Sequence, residues 1–488
     1  MTEQLPKDNL KSEAMAGVLW TAVDKVFSQG GQLIISIVLA NLLTPDDFGL
    51  IGMLAIFLAI SQVLIDSGME KGLIQKLDRS DIDFSTAFIF NVGISLLIYL
   101  MLFVIAPFVA DFYGRQELAE IIPVMSLVVI INALAIVQRA KMTIAMDFKT
   151  FAKIRVLAIL IGGATAIILA YEGIGVWALV VQVITTSLIS TLLFWLWGRW
   201  RLSFSFSKEA FSYLWSYGNK ILISGLYGQG LVNAYNIVIG KYYTSGELGF
   251  YTNARKYAEV SAGTVTSILQ QVTFPILATL QDDEGRLISV YSRLVRMTAF
   301  VIFPIMTGIA LLAEPIVTLL LNEQWIEMIP ILQLMCFVTI LYPVSVLNLN
   351  VLNAVGRSDL FLKVNVMKSP VMIGTLLCTL PYGVKAIVIG QVFSSFFAFC
   401  LNTYYPGKLY GYGLGKHLRD MLPFFVGTVI MSTGVYAISR MIEHELMKLV
   451  VCSLVGVVIY ICYGVFCKFS EIDEVKKLVQ TAWVKVAK

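Results

Sequence analysis

The chain has 488 residues, of which 58% are hydrophobic and only 14% are charged, and its formal net charge is +4 at pH 7. Its mean hydropathy of +0.80 is far above that of soluble globular domains. This balance excludes a soluble protein, and we expect no nucleic-acid partner. It predicts an all-α integral membrane protein.

Apolar stretches of roughly 20 residues, the length that crosses the hydrocarbon core, recur along the chain. They follow a polar N-terminal tail, 1–15, which does not have the basic-then-apolar pattern of a cleavable signal peptide. The sequence predicts about 14 transmembrane helices. They are 16–43, 48–68, 84–108, 118–138, 154–172, 174–198, 213–240, 247–280, 287–313, 328–353, 360–380, 383–406, 419–440 and 446–468.

Basic residues predict the orientation, because Lys and Arg favour cytoplasmic loops. Alternate loops counted from a cytoplasmic N-terminus hold about 27 Lys and Arg, against about 5 in the opposite loops. Both termini are therefore expected in the cytoplasm. This count assigns Arg155, Lys363 and Lys368 to cytoplasmic loops and leaves about four cations with no loop to occupy: Lys25, Lys220, Arg255 and Lys256.

Four motifs recur in the same order about 200 to 210 residues apart. They are Trp20-x4-Lys25 with Trp215-x4-Lys220, 44–49 with 244–249, 151–156 with 361–366, and 175–179 with 383–387. An even number of helices per repeat keeps both repeats in the same orientation. The pattern predicts two parallel six-helix pseudo-repeats, plus two C-terminal helices, around a central cavity.

The predicted domain boundaries follow from this pattern. The cytoplasmic tail 1–15 precedes an N-terminal lobe at 16–198, an interfacial linker at 199–212 and a C-terminal lobe at 213–406. Two additional transmembrane helices occupy 407–468. Apolar residues at helical spacing, with lysines between them, predict an amphipathic cytoplasmic tail at 469–488.

Cations inside the membrane are costly, so they mark functional sites by default. Lys25 and Lys220 share one repeat position, which favours substrate binding, although a structural ion pair is the alternative. Arg255 and Lys256 are candidates of the same kind, yet Arg255 and Glu259 are spaced i, i+4 and fit a local salt bridge equally well. Asp24 and Glu259 are the candidate ion-pairing or coupling carboxylates.

Asn and Gln side chains concentrate on the first, seventh and eighth predicted spans, which favours a water-filled cavity over a lipid-facing position. A cavity with an excess of cations attracts anions such as phosphate or acidic sugars. The two histidines and six cysteines show no metal-ligand or disulfide spacing, so we expect no metal and no cofactor.

Several segments resemble a known family: Asn41-Leu-Leu-Thr-Pro-Asp-Asp-Phe-Gly-Leu50, Asp66-Ser-Gly-Met-Glu-Lys-Gly-Leu-Ile-Gln75, Leu248-Gly-Phe-Tyr-Thr-Asn253 and Phe274-Pro-Ile-Leu-Ala278. In order and spacing they are similar to Wzx-type oligosaccharide flippases. The narrower resemblance is to the colanic-acid-exporter-like lipopolysaccharide biosynthesis proteins of the multidrug/oligosaccharidyl-lipid/polysaccharide exporter superfamily. It covers essentially the whole chain.

The resemblance implies translocation of an undecaprenyl-pyrophosphate-linked oligosaccharide across the bacterial cytoplasmic (inner) membrane, for surface polysaccharide biosynthesis. It implies that Lys25, Lys220, Arg255 and Lys256 bind the diphosphate or an acidic sugar. Asp24 and Glu259 then pair with these cations or respond to a proton or sodium ion. The expected partners are the lipid-linked oligosaccharide, membrane lipids, a polysaccharide polymerase and a chain-length regulator, and the expected state is a monomer.

Other classes of protein remain as alternatives. A cation-coupled multidrug antiporter of the same superfamily favours an acidic cavity lining, whereas this one is expected to be basic. A membrane glycan polymerase or ligase ordinarily carries a sizeable outer loop with acid/base residues, and the longest outer stretch, about 314–327, has glutamates without a basic or His partner. We therefore expect no enzyme. A structural scaffold does not account for the repeated lysines.

Overall fold

A computed structural model describes residues 25, 27–66, 69–76, 78–198, 200–280 and 283–474, with the backbone alone at 217, 220, 221, 268–272, 274–276, 278, 279, 358 and 362. Within these residues the chain is almost entirely helical. The helices are α1 (Phe27–Leu42), α2 (Pro45–Asp66), α3 (Met69–Gln75), α4 (Asp81–Tyr113), α5 (Glu117–Ile144), α6 (Phe148–Tyr171), α7 (Val176–Trp197), α8 (Lys208–Tyr242), α9 (Ser245–Thr279), α10 (Glu284–Leu311), α11 (Ala313–Leu320), α12 (Met328–Thr339), α13 (Tyr342–Ala354), α14 (Ser358–Thr379), α15 (Val384–Tyr410), α16 (Leu414–Ser439) and α17 (Glu445–Phe466).

The prediction of an all-α membrane protein is confirmed. Eleven candidate spans of the described chain are long and apolar enough to cross a membrane, with α12 and α13 together forming one of them. The helix α1 is shorter, and the two 35-residue helices α8 and α9 are more polar. Large apolar side chains lie exposed along α4 and α17, for example Phe108 and Leu454, as expected of lipid-facing surfaces. The count of 14 spans and the central cavity stay predictions.

Several helices begin or end outside the predicted spans, because capping residues decide where helices begin, and two cations assigned to loops lie within helices. The helix α6 begins at Phe148 rather than at 154, since the carboxylate of Asp147 accepts a hydrogen bond from Thr150 N at 3.1 Å. The assignment of Arg155 to a loop is therefore wrong. Lys368 likewise lies within α14 and not in a loop.

Two predicted boundaries change for the same local reasons. The linker predicted at 199–212 is shorter, because Ser207 accepts a hydrogen bond from Ala210 N at 3.3 Å and α8 begins at Lys208. The single span predicted at 328–353 remains one candidate span, Met328–Ala354, but its helix is interrupted between α12 and α13, with a proline in the first turn of α13. Residues 475–488, most of the predicted amphipathic tail, lie outside the described part of the chain.

Two compact units divide the chain within α9. Unit 1 is Met1–Thr252 and unit 2 is Asn253–Lys488. By packing, α8 and the first turns of α9 belong to unit 1, although by sequence they open the second pseudo-repeat. The repeat boundary at 199–212 stays a prediction.

Glycines bring three helices of unit 1 together. A Cβ atom on Gly162 of α6 would collide with Thr186 Oγ1 of α7, and one on Gly163 would collide with the Ile35 side chain of α1. Helix α6 therefore lies close against both neighbours, and Ile35, Leu39, Ala166 and Leu179 form a buried apolar cluster beside them. This packing encloses the site described below.

Candidate functional site

Unit 1 contains a cavity of about 430 Å³ that is lined mostly by polar residues. Two of its lining residues are cations and seven are uncharged polar residues. No carboxylate occurs among the described residues that line it. The lining consists of Lys25, Ser28, Gln29, Gln32, Asn132, Arg155, Ala158, Ile159, Thr186, Ser187 and Ser190.

Lys25 and Arg155 are the charged residues of this cavity, and they come from different helices. Lys25 is helical and precedes α1, whereas Arg155 is on α6, seven residues after Phe148 and so about 10 Å along that helix. Lys25 was predicted as a site residue from the repeat, and its place in a polar cavity is consistent with that prediction. Arg155 was missed, because it lies at the start of the predicted span 154–172 and was assigned to the preceding cytoplasmic loop; the helix-capping residue Asp147 was the available signal.

The uncharged part of the lining comes mainly from α1 and α7. On α7, Thr186, Ser187 and Ser190 lie at i, i+1 and i+4, which places them on one side of the helix. Hydroxyl and amide groups both donate and accept hydrogen bonds, as sugar hydroxyls do. The cavity therefore combines a cationic part with a part suited to sugars.

A hydrogen-bonded chain leads away from the cavity between α5 and α2. Asn132 Nδ2 donates to Gln62 Oε1 at 3.2 Å, and Gln62 Nε2 donates to Asp66 Oδ1 at 2.8 Å. The Asp66 carboxylate and Glu70 both lie within 4 Å of Arg139, at 3.4 and 3.7 Å. The cavity wall is thereby held by paired charges outside the cavity itself.

The remaining predicted site residues are distributed as follows. Asp24 and the side chain of Lys220 lie outside the described residues. In unit 2, Arg255 Nε pairs with Glu259 Oε1 at 2.7 Å within one helix, the local salt bridge that the spacing also allowed. Lys256 is half-buried on the same helix. The structure brings together only Arg255 and Glu259 among the described candidates, and the binding roles of all six stay predictions.

The second repeated motif forms equivalent caps on α2 and α9. Thr44 Oγ1 donates to Asp47 Oδ2 at 2.7 Å and accepts from Asp47 N at 3.3 Å. Thr244 and Glu247 do the same on α9, at 2.9 and 3.2 Å. Both motifs are thus capping boxes, which explains why the Thr and the acidic residue recur at the same spacing.

The capped ends of α2 and α9 cross closely at glycines that also recur. A Cβ on Gly49 would collide with the carbonyl oxygen of Ser245, and a Cβ on Gly249 would collide with that of Pro45. The two contacts are reciprocal, because Pro45 and Ser245 occupy equivalent positions in the two motifs, as Gly49 and Gly249 do. We call this crossing the α2–α9 contact.

An ion pair stabilises the α2–α9 contact. Arg115, between α4 and α5, binds the Asp46 carboxylate at 2.5 Å, and Ser245 Oγ donates to the same carboxylate. The hydrogen bond to the Asp46 carboxylate raises the pKa of the Arg115 guanidinium, which stays charged. By the orientation predicted from the basic residues, this contact lies at the outer ends of the helices.

Unit 2 contains a different polar cluster between α10, α13, α16 and the segment after α17, which we call the α10–α16 cluster. Tyr291 OH donates to Asn348 Oδ1 at 2.6 Å and lies 3.1 Å from His417 Nε2, with all three side chains fully buried. Tyr412 OH donates to Asp420 at 2.5 Å. Burial and then this hydrogen bond raise the pKa of Tyr412.

The same cluster contains two ion pairs of different exposure. Arg296 Nε pairs with Glu471 Oε1 at 2.7 Å, and the Glu471 side chain is only 2% exposed. Arg293 Nε pairs with Glu474 Oε1 at 2.6 Å, but the Arg293 side chain is 64% exposed. These pairs hold the segment after α17 against α10.

Comparison with known proteins gives relatives of one kind. The lipopolysaccharide biosynthesis protein WzxC of Escherichia coli is 26% identical over 363 residues, covering 74% of each chain. The succinoglycan biosynthesis transport protein ExoT of Rhizobium meliloti is 23% identical over 456 residues, covering 90% of each chain. Among solved structures, the lipid II flippase MurJ in an inward closed conformation superposes with a TM-score of 0.76 at 13% identity, covering 92% of this chain and 99% of its own.

The likeness to MurJ shows the fold alone, because the identity is low. The sequence profile of a family described as "Polysaccharide biosynthesis protein" matches residues 38–330, well over half of the chain. This match includes the capping boxes, the glycines of the α2–α9 contact and most of the cavity lining. The protein therefore belongs to the polysaccharide biosynthesis protein family.

Proposed function

We propose that this protein is a flippase that moves an undecaprenyl-pyrophosphate-linked oligosaccharide across the bacterial cytoplasmic membrane by alternating access, for the synthesis of a surface polysaccharide. The observation that carries the proposal is the cavity of unit 1, whose lining joins two cations to seven uncharged polar residues. Such a lining suits a ligand that is both anionic and rich in hydroxyls.

The two cations have separable tasks in this proposal. Arg155 presents a planar fork of N–H donors that fits two oxygens of a phosphate, and Lys25 supplies a compact second positive charge. The hydroxyls of α7 and the amides of α1 bind the adjoining sugar. The polyprenyl chain stays in the lipid, because the flanking helices expose apolar side chains there.

Alternating access requires a contact that forms on one side of the membrane and parts during transport. The α2–α9 contact suits this role, because it joins the start of a helix from each pseudo-repeat. Its stabilising groups are a charged pair and two tight glycine crossings. Such contacts hold firmly when complete and separate into water without leaving apolar surface exposed.

The relatives support the biological setting. ExoT is named as a transport protein and WzxC as a lipopolysaccharide biosynthesis protein. The proposal accordingly assigns transport without a catalytic step, residence in the inner membrane with cytoplasmic termini, and a proton or sodium ion as the coupling ion. A polymerase and a chain-length regulator are the proposed partners of a monomer. A multidrug antiporter for organic cations fits less well, since the described lining offers no carboxylate to bind one.

Lipid extracts test the proposal directly. The gene is depleted in its native host and complemented with the wild type, Arg155→Gln or Lys153→Gln, and the lipid-linked glycans are measured by mass spectrometry. Lys153 is exposed on the same helix and does not line the cavity, so it is the matched control. We expect accumulation of the lipid-linked oligosaccharide on depletion, clearance by the wild type and by Lys153→Gln, and persistence with Arg155→Gln. No accumulation on depletion contradicts the proposed substrate.

A further inference from the structure

Lys368 is a further cation within a candidate span that the proposed function does not use. It lies ten residues after Ser358 on α14, about 15 Å along the helix, inside a candidate span. Its ammonium donates to Asn365 Oδ1 at 3.1 Å. No carboxylate of the described chain forms an ion pair with it. A lysine kept at this depth without an acidic partner is costly and calls for an anionic ligand.

The helices α14 and α15 correspond to α6 and α7 of unit 1, each at its own offset along the chain. Helix α6 begins at Phe148 and α14 at Ser358, 210 residues apart, while α7 begins at Val176 and α15 at Val384, 208 residues apart. The turns before them also match. Met146 and Gly356 both have a positive φ, at 53° and 75°. The structure thus supports an alignment, residue by residue, of these two helix pairs.

In this register the second repeat carries a cation on the helix face that lines the cavity in the first. Arg155 and Ala158, one turn apart on α6, both line the cavity of unit 1. Their equivalents on α14 are Asn365 and Lys368, which hydrogen-bond each other. The positive charge has moved by one turn along the same face, and an amide occupies the position that holds the guanidinium in unit 1.

Two of the three α7 hydroxyls that line the first site have equivalents on α15, whereas Ser190 corresponds to Ala398. Thr186 and Ser187, which line the cavity of unit 1, correspond to Ser394 and Ser395 on α15. Ser394 Oγ lies 2.5 Å from Thr375 Oγ1, and Thr375 is seven residues after Lys368 on the same side of α14. The cation, the amide and the Thr375 hydroxyl therefore lie along one side of α14, where Thr375 meets Ser394 of α15. Ser395 Oγ instead donates to Val338 O of α12 at 2.6 Å.

We propose that Lys368 is the cation of a second anion-binding site, in unit 2, that takes a phosphate or carboxylate group. Asn365 acts as a positioning residue, because its Oδ1 accepts a hydrogen bond from one of the three N–H groups of the Lys368 ammonium. The other two N–H groups are left to donate to the ligand. The inference rests on the proposed function, since the anion it assigns first is the charged part of the same lipid-linked oligosaccharide. An anionic lipid headgroup has the same chemistry and is the second source.

Equilibrium dialysis with inorganic pyrophosphate tests the second site in the full chain, purified in a neutral detergent. The variants are Lys368→Gln, Lys368→Arg, the pair Lys25→Gln with Arg155→Gln, and Lys363→Gln as the matched control. Lys363 is exposed on the same helix, five residues away. We expect two equivalents bound by the wild type, Lys368→Arg and Lys363→Gln. We expect Lys368→Gln to retain one of the two equivalents and to bind the other about tenfold or more weakly.

The outcomes separate the two proposals. If Lys368→Gln binds as the wild type does while the paired variant loses its equivalent, the second site is refuted and the first stands. If the paired variant binds as the wild type does and only Lys368→Gln loses an equivalent, the first site is refuted and the second stands. No binding by the wild type overturns both. A melting temperature equal to that of the wild type shows that each variant is folded, and Lys368→Met replaces Lys368→Gln if it is not.

A second arm identifies the source of the anion. Phosphatidylglycerol is added to the wild type at a constant pyrophosphate concentration, with phosphatidylcholine as the zwitterionic control. If phosphatidylglycerol, but not phosphatidylcholine, displaces the equivalent of pyrophosphate that depends on Lys368, the site is assigned to a lipid headgroup. Retention of both equivalents assigns it to the oligosaccharide diphosphate.

Discussion

The cavity of unit 1 and the α10–α16 cluster of unit 2 are both polar, yet they differ in how their charges are arranged. In the α10–α16 cluster each arginine faces a carboxylate of the segment after α17, and Tyr291, Asn348 and His417 hydrogen-bond one another. In the cavity, cations and uncharged polar groups converge with no carboxylate in the described lining. A cluster that completes its own pairing contributes to stability, whereas a lining with one sign of charge recruits a ligand.

The largest expected effect separates transport from stability. Combining Lys25→Gln with Arg155→Gln removes both cations of the cavity, so transport per molecule should fall about 100-fold or more, the value of two charge-assisted hydrogen bonds. The melting temperature in detergent should change little, because the described lining contains no carboxylate that these substitutions would leave buried without a partner. Flipping of a fluorescent lipid-linked oligosaccharide in proteoliposomes measures the first quantity. A large loss of thermal stability with normal transport would show that the two cations stabilise the fold and do not bind the substrate.

The α10–α16 cluster should show the opposite behaviour. Arg296→Gln leaves the buried Glu471 carboxylate without its partner, and the unfolding free energy should fall by about 3 kcal/mol. Arg293→Gln breaks the exposed pair of the same segment and should cost less than about 1 kcal/mol. Thermal unfolding in detergent compares the two variants. Equal losses of unfolding free energy would show that burial of the Glu471 carboxylate does not cause the loss. Restoration of stability by Glu471→Gln on the Arg296→Gln background would confirm that it does.

The α2–α9 contact combines both kinds of behaviour, because its ion pair is complete but is proposed to part during transport. Gly249→Ala places a methyl group against the Pro45 carbonyl, so the crossing should open and the unfolding free energy should fall by about 1–3 kcal/mol. Gly246→Ala has open space and is the control. Cysteines introduced near Asp46 should react faster with an impermeant thiol reagent in Gly249→Ala cells. Unchanged labelling there would argue against a gate at this place.

The smallest expected effect tests the equivalence of the two capping boxes. Thr44→Val and Thr244→Val each remove one helix cap, so each should lower the unfolding free energy by about 1 kcal/mol. The two losses should agree, because the hydrogen bonds have nearly the same lengths on α2 and α9. Thermal unfolding of the single variants checks this. A loss confined to one of them would mean that the repeated motif serves different purposes in the two repeats.

Recognition of single residues from the sequence worked where a residue recurred in the repeat. Lys25 was found because Lys220 repeats it, and the Thr44 and Thr244 motifs were found in the same way. Arg155 was assigned to a loop, and the repeat did not recover it, because its equivalent is an asparagine without a charge. Lys368 was missed for the complementary reason, since its equivalent is Ala158. A cation that moves by one turn between repeats disappears from a position-by-position comparison but stays on the same helix face.

The sequence by itself determined the membrane class, the helical content and the pairing of the repeated motifs, because apolar length and capping residues act over a few neighbours in the chain. Only the tertiary structure decided which polar residues share a cavity, since Lys25, Asn132, Arg155 and Thr186 come from helices that are far apart in sequence. Gly162 and Gly163 illustrate the reason: they look like two small residues in an apolar span, and their effect depends on α1 and α7 packing against them. The sequence thus determines which charged residues are present, and helix packing determines which other residues each of them lies beside.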